Sequence, residues 1–260
     1  MTATHIEEVN GPLIVASEQA PTDLPHFEEP MGTVRVPGVL AQITVLVRKD
    51  ILLEARTREA FIPMSVFGLL VLVLFSFSFD LARESTGQVV SGILWTAILF
   101  AGMLGVGRGF ALERDRGALD ALLLTPIAAA TLYLARLVAT LLLMLSLECV
   151  LLPAGTVLFN VPLMQPRLLG ALALGTFGFS VVATLFAALA ASSRARDVLL
   201  PLLMLPVLVP LIIAVVQATS EAIAGPGLFA GPPWLRLAAG FDVLFLIVSL
   251  SIFDFVIRDS

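Results

Sequence analysis

The densest run of side chains able to do chemistry lies between Gly107 and Pro126, where Glu113, Arg114, Asp115, Arg116 and Asp120 stand among Leu112, Leu119, Leu122 and Leu123. Written on a helix, Glu113, Arg116 and Asp120 share one face at i, i+3 and i+7, and Leu112, Leu119 and Leu123 form an adjacent apolar stripe. Gly117 divides the run and Pro126 marks its end. A small apolar ridge with charged flanks suits docking into a groove on a partner protein. It equally suits an interfacial helix that only ends a longer one, and spacing leaves both readings open. Catalytic patterns are missing: the sequence holds no HExxH and no GxSxG, and its only histidines are His5 and His26.

A second set consists of three acids inside or at the end of apolar runs, Asp80, Glu148 and Asp242. Burying such groups is costly, so each is a candidate functional position. A third set is Pro201, Pro206 and Pro210, which punctuate one apolar run and make it either a hinge or a static kink.

These sets need a scaffold, and composition names it. Of 260 residues, 58% are hydrophobic and 13% charged, with a mean hydropathy of +1.01. The charged share is about half that of a soluble domain. A soluble enzyme, a nucleic-acid binder and a secreted disulfide scaffold are disfavoured, and the lone Cys149 cannot form an intrachain disulfide. Six apolar runs of spanning length occur, at about 61–80, 89–107, 129–151, 168–191, 199–219 and 236–256. Backbone groups in lipid are satisfied only in helices or closed barrels, and unbroken runs without alternation exclude the barrel. The expected fold is an all-α integral membrane protein with six transmembrane helices. Residues 221–235 are too rich in Gly and Pro to span, and read as an outer interfacial piece with Trp234 at headgroup depth.

Ahead of the spans, residues 1–38 carry Glu7, Glu8, Glu18, Asp23, Glu28 and Glu29 with five prolines, and read as a disordered acidic cytoplasmic arm. Residues 39–260 then form the membrane domain. Its first segment is an amphipathic helix with Leu40, Ile43, Val47 and Ile51 on one side and Arg48, Lys49, Asp50, Glu54, Arg56 and Arg58 on the rest. Such a helix lies in the membrane interface.

With the N-terminus inside, Arg35, Arg48, Lys49, Arg56, Arg58, Arg108, Arg114, Arg116, Arg136, Arg194, Arg196 and Arg258 fall on the inner side, and Arg83, Arg167 and Arg236 on the outer. That asymmetry puts both termini in the cytoplasm of a multi-pass protein, and the 107–126 segment with them. Glu148, 19 residues into its run, lies ~28 Å from the inner end. Asp242, six residues past Arg236, lies ~9 Å below the outer boundary. With Asp80 at the end of the first span, the three acids fall in the outer third, as one polar site paired with Arg83 or Arg236, or as separate snorkelling groups.

The 107–126 segment resembles the cytoplasmic coupling segment of ABC-2-type permeases, with Glu113, then Gly117-x-Leu119-Asp120-x-Leu122 and Thr125-Pro126. The chain as a whole resembles the CcmB family, the permease subunit of the cytochrome c maturation haem exporter. The blocks that carry the likeness are Lys49-Asp50, Glu54 and Arg56, then Trp95, Phe110-x-x-Glu113 and the coupling segment, then Pro201, Pro206 and Pro210. They run in order over residues 45–255, and Asp120 stands where such loops commonly carry Glu. The acidic arm falls outside the pattern.

The resemblance implies a non-catalytic permease in the bacterial inner membrane. A separate ABC ATPase subunit would grip Glu113, Arg116, Gly117, Leu119, Asp120 and Leu122. The helix with Arg48, Lys49, Asp50, Glu54 and Arg56 would flank that contact, and residues 192–197 would form a weaker second one. The sequence agrees on one point: no P-loop can be built where Lys49 is the sole lysine. ATP would sit on the partner, and the complex would export haem or release a haem-loaded chaperone for c-type cytochrome biogenesis. Further expected partners are a second copy of the chain, other haem-handling membrane subunits and the bilayer, with no nucleic acid. No haem ligand or metal site is expected in this chain, since His5 and His26 lie in the arm and Tyr133, Cys149 and the span methionines form no axial pair. The alternatives are an ABC-2 permease for a lipid, polysaccharide or drug, a non-transporting scaffold, and an ATP-independent channel.

Overall fold

A computed structural model describes residues 38–78, 86–115, 128–191, 196–225 and 232–258. Among these residues the protein is helical, with no strand. The predicted acidic arm, Asp80 and Arg116 through Pro126 lie outside them.

Helix α1 covers Val39–Thr57 and ends where Arg58 takes a left-handed conformation, φ 54°, and its N–H donates to the Glu54 carbonyl at 2.7 Å. A tight elbow leads to α2, Phe61–Ser78, followed by α3, Thr86–Asp115, and α4, Ala129–Phe159. After a 3-10 turn at Pro166–Leu168 come α5, Leu169–Ala191, α6, Arg196–Ala224, and α7, Pro232–Arg258. Helices α2 to α7 are the six described helices long and apolar enough to cross a membrane. The chain is a multi-pass helical membrane protein.

Side-chain neighbours fix the directions. Met64 meets Gly105 and Gly68 meets Ala101, so α2 and α3 are antiparallel. Gly68 meets Leu151 while Leu72 faces Gly155, so α2 and α4 are parallel. Thr140 pairs with Thr184 and Glu148 with Thr176, which sets α4 against α5. Gly170 lies by Leu235 and Gly178 by Asp242, so α5 and α7 run together.

Two helices occupy the inside. In α3 and α5, 72% and 67% of the apolar stretch is buried, against 22–33% in the other four. The reason for α5 lies in its composition. Gly175, Thr176, Gly178, Ser180, Ala183, Thr184 and Ala187 give it little width, so neighbours approach closely, which is how helices associate where lipid removes the hydrophobic drive.

Several boundaries differ from the sequence expectation. Helix α4 continues through Pro153 to Phe159, eight residues past the expected end at 151. A proline inside a membrane helix is tolerated because its freed carbonyl finds partners nearby. Helix α7 opens at Pro232, since proline fits the first turn, where its missing N–H is not needed. The expected interfacial piece therefore splits. Its start finishes α6, its end opens α7, and Trp234 Nε1 donates to Glu221 Oε1 at 3.1 Å between them. Helix α6 runs unbroken through Pro201, Pro206 and Pro210, and the last two are exposed.

Candidate functional site

At the α1 end of the bundle, α1 packs only part of its apolar side inward. Val47 is buried, but Leu40 is 81% and Ile51 44% exposed. The side against the bundle carries Asp50, Leu53, Glu54 and Thr57, one helical stripe at i, i+3, i+4 and i+7. Two acids on that stripe explain the rotation. Asp50 Oδ2 accepts from Arg136 Nη1 on α4 at 3.1 Å, with the side chains only 14% and 12% exposed. Lys49 lies 3.2 Å from the other Asp50 oxygen. Glu54 Oε1 accepts from the backbone N–H groups of Ala60 at 3.1 Å and Phe61 at 2.7 Å, so it caps the start of α2 across the elbow.

Five residues expected to flank a partner contact thus divide in two. Arg48, Lys49 and Arg56 are exposed, whereas Asp50 and Glu54 are turned to the bundle. Glu54→Ala is expected to cost about 1 kcal/mol, the usual worth of a cap, read as a lower unfolding temperature in detergent. Glu54→Gln, which keeps an acceptor, is expected to lose less than half of that.

The residues expected to couple to a partner ATPase are only partly described. Glu113 lies in the last turn of α3, and its side chain is outside the described set. Arg116, Gly117, Leu119, Asp120 and Leu122 are outside the described residues altogether, as are residues 192–195 of the expected second contact.

Deeper in the bundle, Glu148 and Asp242 are 5% and 3% exposed. Glu148 accepts a hydrogen bond from the Thr176 hydroxyl on α5. Asp242 and Leu211 both lie against Gly178, and neither Asp242 oxygen has a hydrogen-bond partner among the described residues. Thr176 and Gly178 are two residues apart, ~3 Å in height and about 200° around the helix. The acids thus share a depth but reach α5 from opposite faces, and α5 stands between them. The depth also changes. With α4 extended to Phe159 and α7 begun at Pro232, Glu148 and Asp242 lie ~16 Å and ~15 Å from those ends. Asp80 is outside the described residues.

On a third side of α5, the Trp95 ring of α3 lies against Gly175, and its Nε1 donates to Thr219 Oγ1 of α6 at 2.9 Å. The segment from Gly175 to Gly178 is therefore a node where α3, α4, α6 and α7 meet α5. Gly175 and Gly178 were not singled out in the sequence; a pair of glycines among Thr and Ser in an apolar run is the signal that finds them. The sequence alone marks Arg136 only as an inner-side cation. An arginine two turns into an apolar run requires a carboxylate, and that requirement points to Asp50.

Residues 41–259 match the family model described as CcmB protein. The chain belongs to the CcmB family. It is 36% identical over 176 residues to heme exporter protein B of Rhodobacter capsulatus, an alignment covering 65% of this chain and 78% of that one. It is 32% identical over 186 residues to heme exporter protein B of Paracoccus denitrificans, covering 69% and 83%. It is 28% identical over 201 residues to heme exporter protein B of Bradyrhizobium diazoefficiens, covering 74% and 87%. The CcmB match takes in α1 from its third residue, the Asp50–Arg136 pair, the α5 node and both buried acids. The ion pair and the node are thus parts of the CcmB domain.

Proposed function

We propose that this chain is the permease subunit of an ABC-type haem exporter that serves c-type cytochrome biogenesis. The observation that carries the reading is the CcmB match over residues 41–259, joined to relatives named heme exporter protein B. The chain is non-catalytic and takes its motion from an ATPase on a partner subunit. It sits in the bacterial inner membrane with both termini in the cytoplasm, as the clustering of basic residues at the α1 end supports.

The ATPase seat is the segment of Glu113, Arg116, Gly117, Leu119, Asp120 and Leu122. Two features support this. The apolar stretch of α3 ends at Gly107, so Glu113 lies beyond the span, and α4 resumes at Ala129 at the same end. Exposed Arg48, Lys49 and Arg56 flank that end. Motion received there passes to α4, and from α4 to α1 through Arg136 and Asp50. A second copy of the chain completes the permease, and other membrane subunits handle the haem.

Leu119→Asp is the direct test. In mild detergent the wild-type chain is expected to carry its ATPase with it, and the variant to carry at least tenfold less at equal membrane abundance. Cells relying on the variant are expected to lose c-type cytochromes. Full ATPase retention by the variant, or a reporter at position 116 that faces the periplasm, overturns the coupling assignment.

A further inference from the structure

A cavity of about 680 Å³ opens between α1, the elbow, the end of the apolar stretch of α3 and the first half of α4. Its α4 wall runs from Arg136 to Ser146, ten residues and ~15 Å along the helix. The sides are apolar, with Leu53, Phe61, Val106, Ala139 and Leu143. Its polar groups are already engaged. Glu54 caps α2, Ser146 Oγ donates to the Leu143 carbonyl at 2.6 Å, and Arg136 is paired with Asp50. One lining cation remains. Arg58 is exposed at the elbow and has no carboxylate partner among the described residues.

A long apolar trough beside one exposed cation with no ion-pair partner among the described residues does not suit a sugar or a nucleotide, whose many polar groups would be stranded on the walls. Among the described residues no His, Cys, Met or Tyr lines it, so these offer no side chain of the usual kinds to haem iron. It does suit an amphiphile with a negative head and a hydrocarbon tail, and the bilayer supplies one at that level. Exposed Arg48, Lys49 and Arg56 on α1 add to the attraction for such a head.

We propose that the trough between α1 and α4 is a binding site for an anionic phospholipid, with the acyl chain along Leu53, Ala139 and Leu143 and the phosphate on Arg58. The lipid fills the gap that the Asp50–Arg136 pair holds open, so α1 and α4 grip it from both sides.

The test uses the full-length chain purified from membranes and incubated in detergent with equal amounts of phosphatidylglycerol and phosphatidylcholine, with bound lipid counted by native mass spectrometry. The wild type is expected to retain one phosphatidylglycerol per chain, at least fivefold over phosphatidylcholine. Arg58→Gln is expected to erase that preference. Ala139→Phe, which fills the trough, is expected to reduce retention of both lipids at least fivefold. Arg58 is exposed, so its variant reads the site even if Ala139→Phe folds poorly. Equal retention of the two lipids by the wild type, an unchanged preference in Arg58→Gln, or displacement of the lipid by stoichiometric hemin overturns the proposal.

Discussion

Gly178→Ala is expected to destabilise the folded bundle by about 2 kcal/mol. A Cβ at this position would lie 2.1 Å from Asp242 Oδ1 and 2.8 Å from Leu211 Cδ2, two neighbours on different helices. Overpacking of this kind costs about 3 kcal/mol, and the gain in helix propensity over glycine returns only about 1 kcal/mol. The net sign is a loss. Gly175→Ala is expected to cost at least as much, because its Cβ would lie 2.1 Å from the Trp95 ring, which is pinned at Nε1 by Thr219. Gly92→Ala is the control. Nothing lies within 4 Å of its Cβ position, so the propensity gain should appear alone. Thermal unfolding in detergent separates the three. The mechanism is checked by compensation, since Asp242→Ala is expected to rescue Gly178→Ala and leave Gly175→Ala unrescued.

The second large effect falls on the link between α1 and α4. Arg136→Ala is expected to cost about 3 kcal/mol, the lower range for stranding one member of a buried pair. The Asp50 carboxylate would keep Lys49 but lose its α4 partner, in a place where water reaches it poorly. Asp50→Ala should be costly for the mirror reason. The double variant is expected to be more stable than the sum of the singles by at least 1 kcal/mol, as contacting charges couple in a double-mutant cycle. Additive losses would mean that the two side chains act independently, and the link would have no mechanical meaning.

Much of this architecture is legible in the sequence, and the parts that are not have a common cause. The spans follow from long apolar runs, because lipid admits only satisfied backbone and length alone does the rest. Their ends are less legible. A proline reads as a stop in water, yet Pro153 lies inside α4 and Pro232 begins α7. The inward face of α1 is hard to read for a related reason. Periodicity finds apolar stripes, but a helix beside a membrane has apolar surroundings on more than one side. Asp50 and Glu54, which have specific partners, then decide its rotation. The two buried acids stand out in sequence because a carboxylate in an apolar run is conspicuous. Their separation by α5 does not, since it depends on which faces α4 and α7 present. Glycines 175 and 178 are the least visible, because the absence of a side chain carries meaning only once the neighbour that fills the space is known.

Helices α3 and α5 fill the axis of this subunit, with Trp95, Met144 and Phe179 wedged where a lumen would have to be. Among the described residues, a flat solute of porphyrin size meets packed side chains down the centre of one copy unless the Gly175–Gly178 junction is pulled apart. If the proposed haem export is carried out by paired copies, the route it requires runs along a seam on the outer walls of α2, α4, α6 or α7, with each subunit one jamb of a doorway rather than a tunnel.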